Sequence, residues 1–283
     1  MTAAFAHRRT PVIAMSRRSS VVFTVVSLIG LAAFCWPLLI RHGAAGDLSH
    51  SGDAPWILAA LLPLLLALFV AELGDGSLDA KAIAMLGVLA AAGAAMRLPT
   101  GGIAGFEMVF FLFLPAGRVF GRAFGFLVGA VTLFASALIT GGIGPWLPFQ
   151  MLGAGWVGFG AGCLPAGLTG GAEIGALAAY GAFAGLVYGA LMNLWFWPFI
   201  LDSTNRVAFL PGGSSIDNLR RFWGFHLTTS LGWDIPRAVT TAVLVVVLGR
   251  PVLGALRRAS ARASFGAPVT FGDATGRDAR LTT

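Results

Sequence analysis

This sequence has few charged residues and few cysteines, and it lacks several motifs on which enzymes depend. Charged residues make up only 11% of the 283 positions, well below the roughly 25% typical of soluble domains. The two cysteines, Cys35 and Cys163, are isolated and form no CxxC pair, so we expect neither a disulfide nor a metal site. The absence of an HExxH motif, a nucleophile elbow and a Walker A motif argues against a hydrolase and against a self-powered ATPase.

The few ionisable residues near apolar segments also argue against catalysis. Glu72, Glu107 and Glu173 are far apart in the sequence, and none is paired with a second acid. All four histidines fall outside the predicted helices. Acid–base chemistry generally needs titratable groups in pairs. We therefore predict that the chain is not an enzyme, and we expect no metal and no cofactor.

Apolar residues are what the sequence has in abundance, at 57% of the chain. A helix needs roughly 17 to 25 mostly apolar residues to cross a bilayer. Eight segments are candidates, although the fourth and the eighth are short and seven spans are an alternative. The segments are 21–40, 55–73, 80–96, 104–117, 119–140, 147–165, 174–200 and 235–249. We predict an all-α integral membrane protein, a polytopic bundle of about eight transmembrane helices.

Basic residues indicate the orientation, because cytoplasmic loops retain Lys and Arg. With both termini in the cytoplasm, most of the 19 basic residues fall on the cytoplasmic side. We expect a multi-pass protein of the cell membrane, with a basic arm at 1–20 and a disordered basic tail at 250–283. This topology and attraction to anionic lipid explain the net charge of +7, so we expect lipid contact and no nucleic-acid binding.

Polar and aromatic side chains concentrate near the predicted outer ends of the spans. Amides and charges inside a span are costly and usually have a function. A binding pocket at the outer face is one interpretation, and an interfacial belt of aromatic residues is the other. The candidate substrate-binding residues are Glu107, Trp146, Gln150, Asn193, Trp197 and Trp223. For Glu107, pairing with Arg97 is an alternative to a binding role.

Two connecting segments would border such a pocket. Segment 141–150, GGIGPWLPFQ, has glycines and prolines that end one helix and begin the next, and it is either a packing turn or a binding element. The predicted loop 201–234 exceeds the roughly 12 to 15 residues usual for loops without structure. Its aromatic residues argue against disorder, and we expect it to lie over the outer face.

Small residues repeat at four-residue intervals on several spans, which lets helices approach closely. One face carries Gly121, Gly125 and Gly129, and another carries Gly181, Gly185 and Gly189. Packing within the bundle is the expected role, and contact with another subunit is the alternative. The best candidate for such a contact is the third span. Its small-residue face consists of Ala80, Ala84, Gly87, Ala91, Ala94 and Ala95.

From Ala80 to the end of the last span, the chain resembles the substrate-binding (S) component of energy-coupling factor (ECF) transporters, which are ABC transporters. The matching stretches are KAIAMLGVLAAAGAAMR at 81–97, FFLFLPAGRVFGRAFGFLVGAVTLFASALITGGIGPWLPFQM at 110–151, and WFWPF at 195–199. The resemblance covers about 170 of the 283 residues. It implies a six-helix S domain at 80–249, preceded by two extra helices at 21–79 that the family pattern lacks.

The resemblance also implies a function. In this family a vitamin or similar micronutrient binds at the outer face, and a transmembrane coupling subunit with a pair of cytoplasmic ATPases then drives its import. The first helix of the six meets the coupling subunit, which here implies contacts by Ala80, Ala84, Gly87, Ala91 and Ala95. The long outer loop and the many aromatic residues favour a bulky ligand such as cobalamin. The alternatives are a stand-alone secondary transporter and a non-transporting membrane scaffold.

Overall fold

The protein is helical throughout the part that its computed structural model describes, namely residues 13, 15–39, 79–99, 105–200 and 205–263. A short 3-10 turn lies at Trp197–Phe199. The helices are α1 (Arg17–Phe34), α2 (Trp36–Leu39), α3 (Ala80–Arg97), α4 (Val109–Phe120), α5 (Arg122–Thr140), α6 (Leu147–Cys163), α7 (Gly170–Phe196), α8 (Ser215–Thr229) and α9 (Leu231–Ala263).

Five of these helices are long and apolar enough to cross a bilayer: α1, α3, α5, α9, and α7 together with its 3-10 turn. Helix α4 is apolar but has only 12 residues. The described part of the chain is therefore a membrane-embedded helical bundle, as the composition predicts. The predicted span 55–73 lies outside the described residues.

Helix α4 lies in the centre of the bundle. All of its residues except Arg118 are buried, and it packs against α3, α5, α6, α7 and α9. A helix that is apolar on every side needs neighbours on every side. Helix α4 ends before Gly121, whose backbone φ of 112° interrupts the helical conformation between α4 and α5. The sequence predicted that Gly121 and Gly125 lie on one face of a single helix. This prediction is wrong, because a helix does not continue through a residue with such a positive φ, a conformation that few residues other than glycine adopt.

Glycines bring α5 and α6 into backbone contact. A Cβ atom at Gly125 would overlap the carbonyl oxygen of Gly158, and one at Gly129 would overlap the carbonyl oxygen of Ala154. The glycine face of α7 forms a similar groove for α9. Its contacts are Gly181 with Thr241, Gly185 with Ala238, and Gly189 with the carboxylate of Asp234. The predicted role of these glycines in packing within the bundle is confirmed.

Helix α1 packs on the same core as the later helices. The ring of Phe23 stacks on Phe159 with the centroids 4.0 Å apart. The indole nitrogen of Trp156 donates a hydrogen bond of 3.0 Å to the hydroxyl of Ser27. The first helix is therefore an integral part of the bundle that residues 80–249 were expected to form.

The predicted loop 201–234 is largely helical. Helix α8 occupies Ser215–Thr229, and α9 begins at Leu231. The hydroxyl of Ser214 accepts a hydrogen bond of 3.1 Å from the backbone N–H of Asp217, which caps α8. Phe222 and Phe225 are buried on one side of the helix. The expectation that every histidine lies outside a helix is therefore wrong for His226.

Helix α9 has 33 residues, which corresponds to about 50 Å at a rise of ~1.5 Å per residue. The sequence predicted a helix end at residue 249 and a disordered tail from residue 250. The helix instead continues to Ala263, because Leu253 is buried and Arg257 forms an ion pair with Glu173. Residues 264–283 of the predicted tail lie outside the described residues.

The small-residue face of α3 is largely exposed. A Cβ atom at Gly87 would meet nothing within 4 Å in the described structure. Ala94, which the sequence assigned to the same face, is instead fully buried. The exposed residues of this face are Ala80, Ala84, Gly87, Ala91 and Ala95. No described part of the chain covers it.

Candidate functional site

A partly buried cluster of charged and polar side chains lies near each end of the bundle. The basic-end cluster consists of Arg118, Glu173 and Arg257. The histidine-end cluster consists of Glu107, Asn193, His226, Ser230, Asp234 and Arg237. Helix α7 contributes Glu173 to the first and Asn193 to the second. These positions are 20 residues apart, or about 30 Å along a helix, which is close to the thickness of a bilayer core (~30 Å).

In the basic-end cluster, one carboxylate joins two arginines. Oε1 of Glu173 accepts hydrogen bonds from Nε of Arg118 at 2.7 Å and from Nη2 of Arg257 at 2.6 Å. Arg118 also donates to the backbone carbonyls of Leu164 at 2.9 Å and Leu168 at 3.0 Å. The cluster therefore ties α4, the α6–α7 connection, α7 and α9 together.

A cavity of about 300 Å³ lies beside the basic-end cluster, between α7 and α9. Its charged lining consists of Glu173, Arg250 and Arg257. Glu173 and Arg257 already form an ion pair with each other. We therefore assign these two side chains to holding α7 and α9 together.

In the histidine-end cluster, Arg237 bridges two acids. Its Nε donates to Oε2 of Glu107 at 2.9 Å, and its Nη1 donates to Oδ1 of Asp234 at 2.6 Å. Its guanidinium group lies 5.3 Å from the centre of the Tyr188 ring, close enough for a cation–π interaction. The partner of Glu107 is thus Arg237, and not Arg97 as the sequence allowed.

His226 links this cluster to Asn193. Nδ2 of Asn193 donates to Nδ1 of His226 at 2.9 Å and also to the hydroxyl of Ser230. In this arrangement the proton of the neutral imidazole is on Nε2, which lies 3.7 Å from Oδ2 of Asp234. That carboxylate oxygen is buried and has no hydrogen bond in the described structure. Burial lowers the pKa of His226, and the charge of Asp234 opposes this shift.

A second cavity of about 300 Å³ lies next to Asn193, where the end of α7 meets the start of α6. Its polar lining consists of the two amides Gln150 and Asn193, with no charged side chain among the described residues. Trp195 stacks on Phe149 with the rings 3° from parallel and 4.5 Å apart. The lining residues are Trp146, Gln150, Met192, Asn193, Trp195 and Phe196.

The structure places the predicted substrate-binding residues in four locations. Trp146, Gln150 and Asn193 line the cavity, and Glu107 belongs to the histidine-end cluster. Trp197 is fully buried and donates a hydrogen bond of 2.8 Å to the carbonyl of Val207.

Trp223 is half-exposed on α8, and its ring centre is 5.6 Å from that of His226. It is therefore near the histidine-end cluster without lining the cavity.

Sequence reasoning did not identify His226, Asp234 and Arg237 as a group. The available signal was the spacing of Asp234 and Arg237, three residues apart at the start of a helix, which suits an ion pair. A metal site is not indicated, since the described residues contain no group of three or more His, Cys, Asp or Glu side chains arranged to bind a metal ion.

No family model, no curated protein and no solved structure matches this chain. A function for the protein therefore has to be inferred from the geometry of the cavity and of the two clusters.

Proposed function

We propose that this protein is the substrate-binding membrane subunit of an ECF-type transporter, which captures a vitamin or similar micronutrient for ATP-driven import by partner subunits. The observation that carries the proposal is the cavity lined by Trp146, Gln150 and Asn193 at the histidine end. Mostly aromatic and apolar walls with a few fixed polar groups are typical of small-molecule sites.

The size of the cavity bears on the ligand. About 300 Å³ is at the lower end of the range for small-molecule sites, roughly 300 to 1,000 Å³. A cobalamin would extend well beyond the described walls, so the cavity favours a smaller vitamin than the sequence alone favours.

The proposal includes a topology of eight spans, made of two extra helices at 21–79 and six at 80–249. Both termini lie in the cytoplasm and the protein resides in the cell membrane. The histidine end then faces outward, where the ligand enters, and the basic end faces the cytoplasm. The support is the distribution of basic residues along the sequence.

A transmembrane coupling subunit, which acts with the ATPase pair, is the proposed occupant of the exposed face of α3. Small residues let a partner helix approach closely. Leucine at Ala84 or Ala91 should abolish import and leave ligand binding unchanged, as measured by uptake into cells and by binding to purified protein. The control is Ala179→Leu, the same change at an exposed position of α7. Loss of ligand binding in the α3 variants would contradict this assignment.

The first test is mass spectrometry of small molecules released from the purified protein, with identification of its co-purifying proteins. A vitamin-like compound together with coupling and ATPase subunits is the expected result. A ligand without these subunits would favour a stand-alone secondary transporter, and neither ligand nor subunits would favour a scaffold.

The second test is alanine substitution at Gln150 and at Asn193. Each variant should bind the released compound about fivefold to tenfold more weakly, which corresponds to one lost hydrogen bond. Expression should be unaffected, because both side chains line the cavity and lie outside the buried core. Unchanged binding in both variants would show that the ligand occupies another part of the protein.

A further inference from the structure

The orientation of the Asn193 amide is set by its neighbours. Its Nδ2 group donates to both His226 and Ser230, and these are acceptors on α8 and on the short connection to α9. Its Oδ1 atom accepts no hydrogen bond from the described residues. Since Asn193 lines the cavity, the carbonyl oxygen is the group that this residue has available for a ligand.

The rest of the cavity wall is uncharged. Gln150 contributes a second amide, and Trp146 uses its indole N–H for a hydrogen bond of 3.1 Å to the carbonyl of Gly142. The nearby charged residues Asp234 and Arg237 bind each other at 2.6 Å. An ionised ligand would lose hydration without gaining a counter-charge from this wall, which is unfavourable.

We propose that the ligand of this cavity is an uncharged planar molecule that donates a hydrogen bond to Oδ1 of Asn193, and that His226 and Ser230 are positioning residues that hold the amide in this orientation. This inference rests on the proposed function in one respect, which is that the ligand binds in this cavity. The planar shape follows from the exposed aromatic walls at Trp146 and Phe196, against which a flat ring can stack.

Protonation of His226 would reverse the arrangement. An imidazolium donates from both nitrogens, so Nδ1 could no longer accept from Asn193, and the amide would have to turn its NH₂ group toward the cavity. The charged groups facing His226 are Asp234, 3.7 Å away, and behind it Arg237 with Glu107. Asn193 and Ser230 face it as neutral groups. Ligand preference should therefore depend on pH.

The test uses the purified full-length protein and matched probes. Benzamide and naphthamide each donate from an amide N–H, their N,N-dimethylamides lack that donor, and benzoate and naphthoate are anionic. Binding is measured by quenching of tryptophan fluorescence at pH 7.5. We expect the primary amides to bind about tenfold more tightly than the dimethylamides, as for one hydrogen bond, and the carboxylates to bind at least about tenfold more weakly.

Two variants distinguish positioning from a general structural role. His226→Gln keeps an acceptor for Asn193 that does not titrate, so it should keep the preference for primary amides at pH 7.5 and at pH 5.5. His226→Phe keeps a ring that can stack on Phe222 but removes the acceptor, so it should lose the preference at both pH values. The wild-type protein should show the preference at pH 7.5, and the preference should weaken on acidification to pH 5.5. Thermal unfolding of each variant verifies that it is folded.

Several results would overturn the inference: equal binding of primary and dimethylated amides, tighter binding of carboxylates, no binding by any probe, or an unchanged preference in His226→Phe. Its failure is distinguishable from that of the proposed function. An anionic compound co-purifying with coupling and ATPase subunits would overturn the inference alone. The expected probe ranking without those subunits would overturn the transporter assignment alone.

Discussion

The basic-end and histidine-end clusters contain similar groups but differ in how fully their polar atoms are satisfied. Glu173 binds two arginines, and Arg118 also donates to two backbone carbonyls. At the other end, Oδ2 of Asp234 is buried without a hydrogen bond, and a histidine lies 3.7 Å away. Fully satisfied buried networks rigidify a protein, whereas unsatisfied groups need a separate explanation, often a functional one.

The difference indicates a division of roles along α7 and α9, which contribute to both clusters. The basic end fixes these helices to α4 and to the α6–α7 connection. The histidine end holds groups that can change protonation or hydrogen-bond partner beside the cavity. We infer that the basic end mainly supports the fold and that the histidine end mainly serves the site.

The largest expected effect comes from neutralising Glu173 at the basic end, and the comparison is with neutralising Asp234 at the histidine end. Glu173→Gln removes the counter-charge of both Arg118 and Arg257, so it should lower the free energy of unfolding by about 3 to 5 kcal/mol, as for a broken buried ion pair. Asp234→Asn should lower the free energy of unfolding by only about 1 kcal/mol. Arg237 keeps its ion pair with Glu107, and the change removes the negative charge from a carboxylate that has one oxygen without a hydrogen bond. The measurement is reversible unfolding in mixed detergent micelles.

The control for these variants is Asp217→Asn. Asp217 and Arg220 form an exposed ion pair with a separation of 3.9 Å, and such pairs contribute little. The comparison between the two ends would be refuted if Asp234→Asn destabilised the protein as much as Glu173→Gln.

A smaller effect is expected from adding one methyl group to α7 at each end. Gly189→Ala should lower the free energy of unfolding by about 2 kcal/mol, because the new Cβ atom would overlap the Asp234 carboxylate that Arg237 holds in place. Gly175→Ala meets nothing within 4 Å, so it should be neutral or stabilise by up to about 1 kcal/mol through helix propensity. Equal effects of the two changes in the same unfolding assay would contradict the observed α7–α9 contact.

The long apolar helices of the described residues and their packing were largely predictable, because long apolar segments and glycine spacing are local features, whereas the count of eight spans stays a prediction. The boundaries of α3, α6 and α7 fall within a few residues of the prediction. Helix α8 was missed because its 15 residues include many polar ones, which hides it from a search for apolar spans. The end of α9 was missed because it depends on Arg257 meeting Glu173, 84 residues away in sequence.

The candidate site was predictable only in part, for the same reason. Trp146, Gln150 and Asn193 come together because they lie at helix ends on one side of the bundle, and a count of spans suffices to place them there. The pairing of Glu107 with Arg237 joins residues 130 positions apart. It depends on the rotation of α9 about its axis, which no local pattern specifies.

The smallest expected effect is the dependence of stability on pH through His226. Burial lowers the pKa of His226 from 6.5, so the unfolded chain takes up this proton at a higher pH than the folded protein. Stability should therefore fall on acidification from pH 7.5 to 5.5. The fall should be small because Asp234 opposes the effect of burial. When unfolding in mixed micelles is measured at the two pH values, His226→Gln should reduce the dependence of stability on pH. Glu173→Gln should keep this dependence. A wild-type protein that gained stability on acidification would instead show that the His226–Asp234 ion pair outweighs burial, and the histidine end would then resemble the basic end.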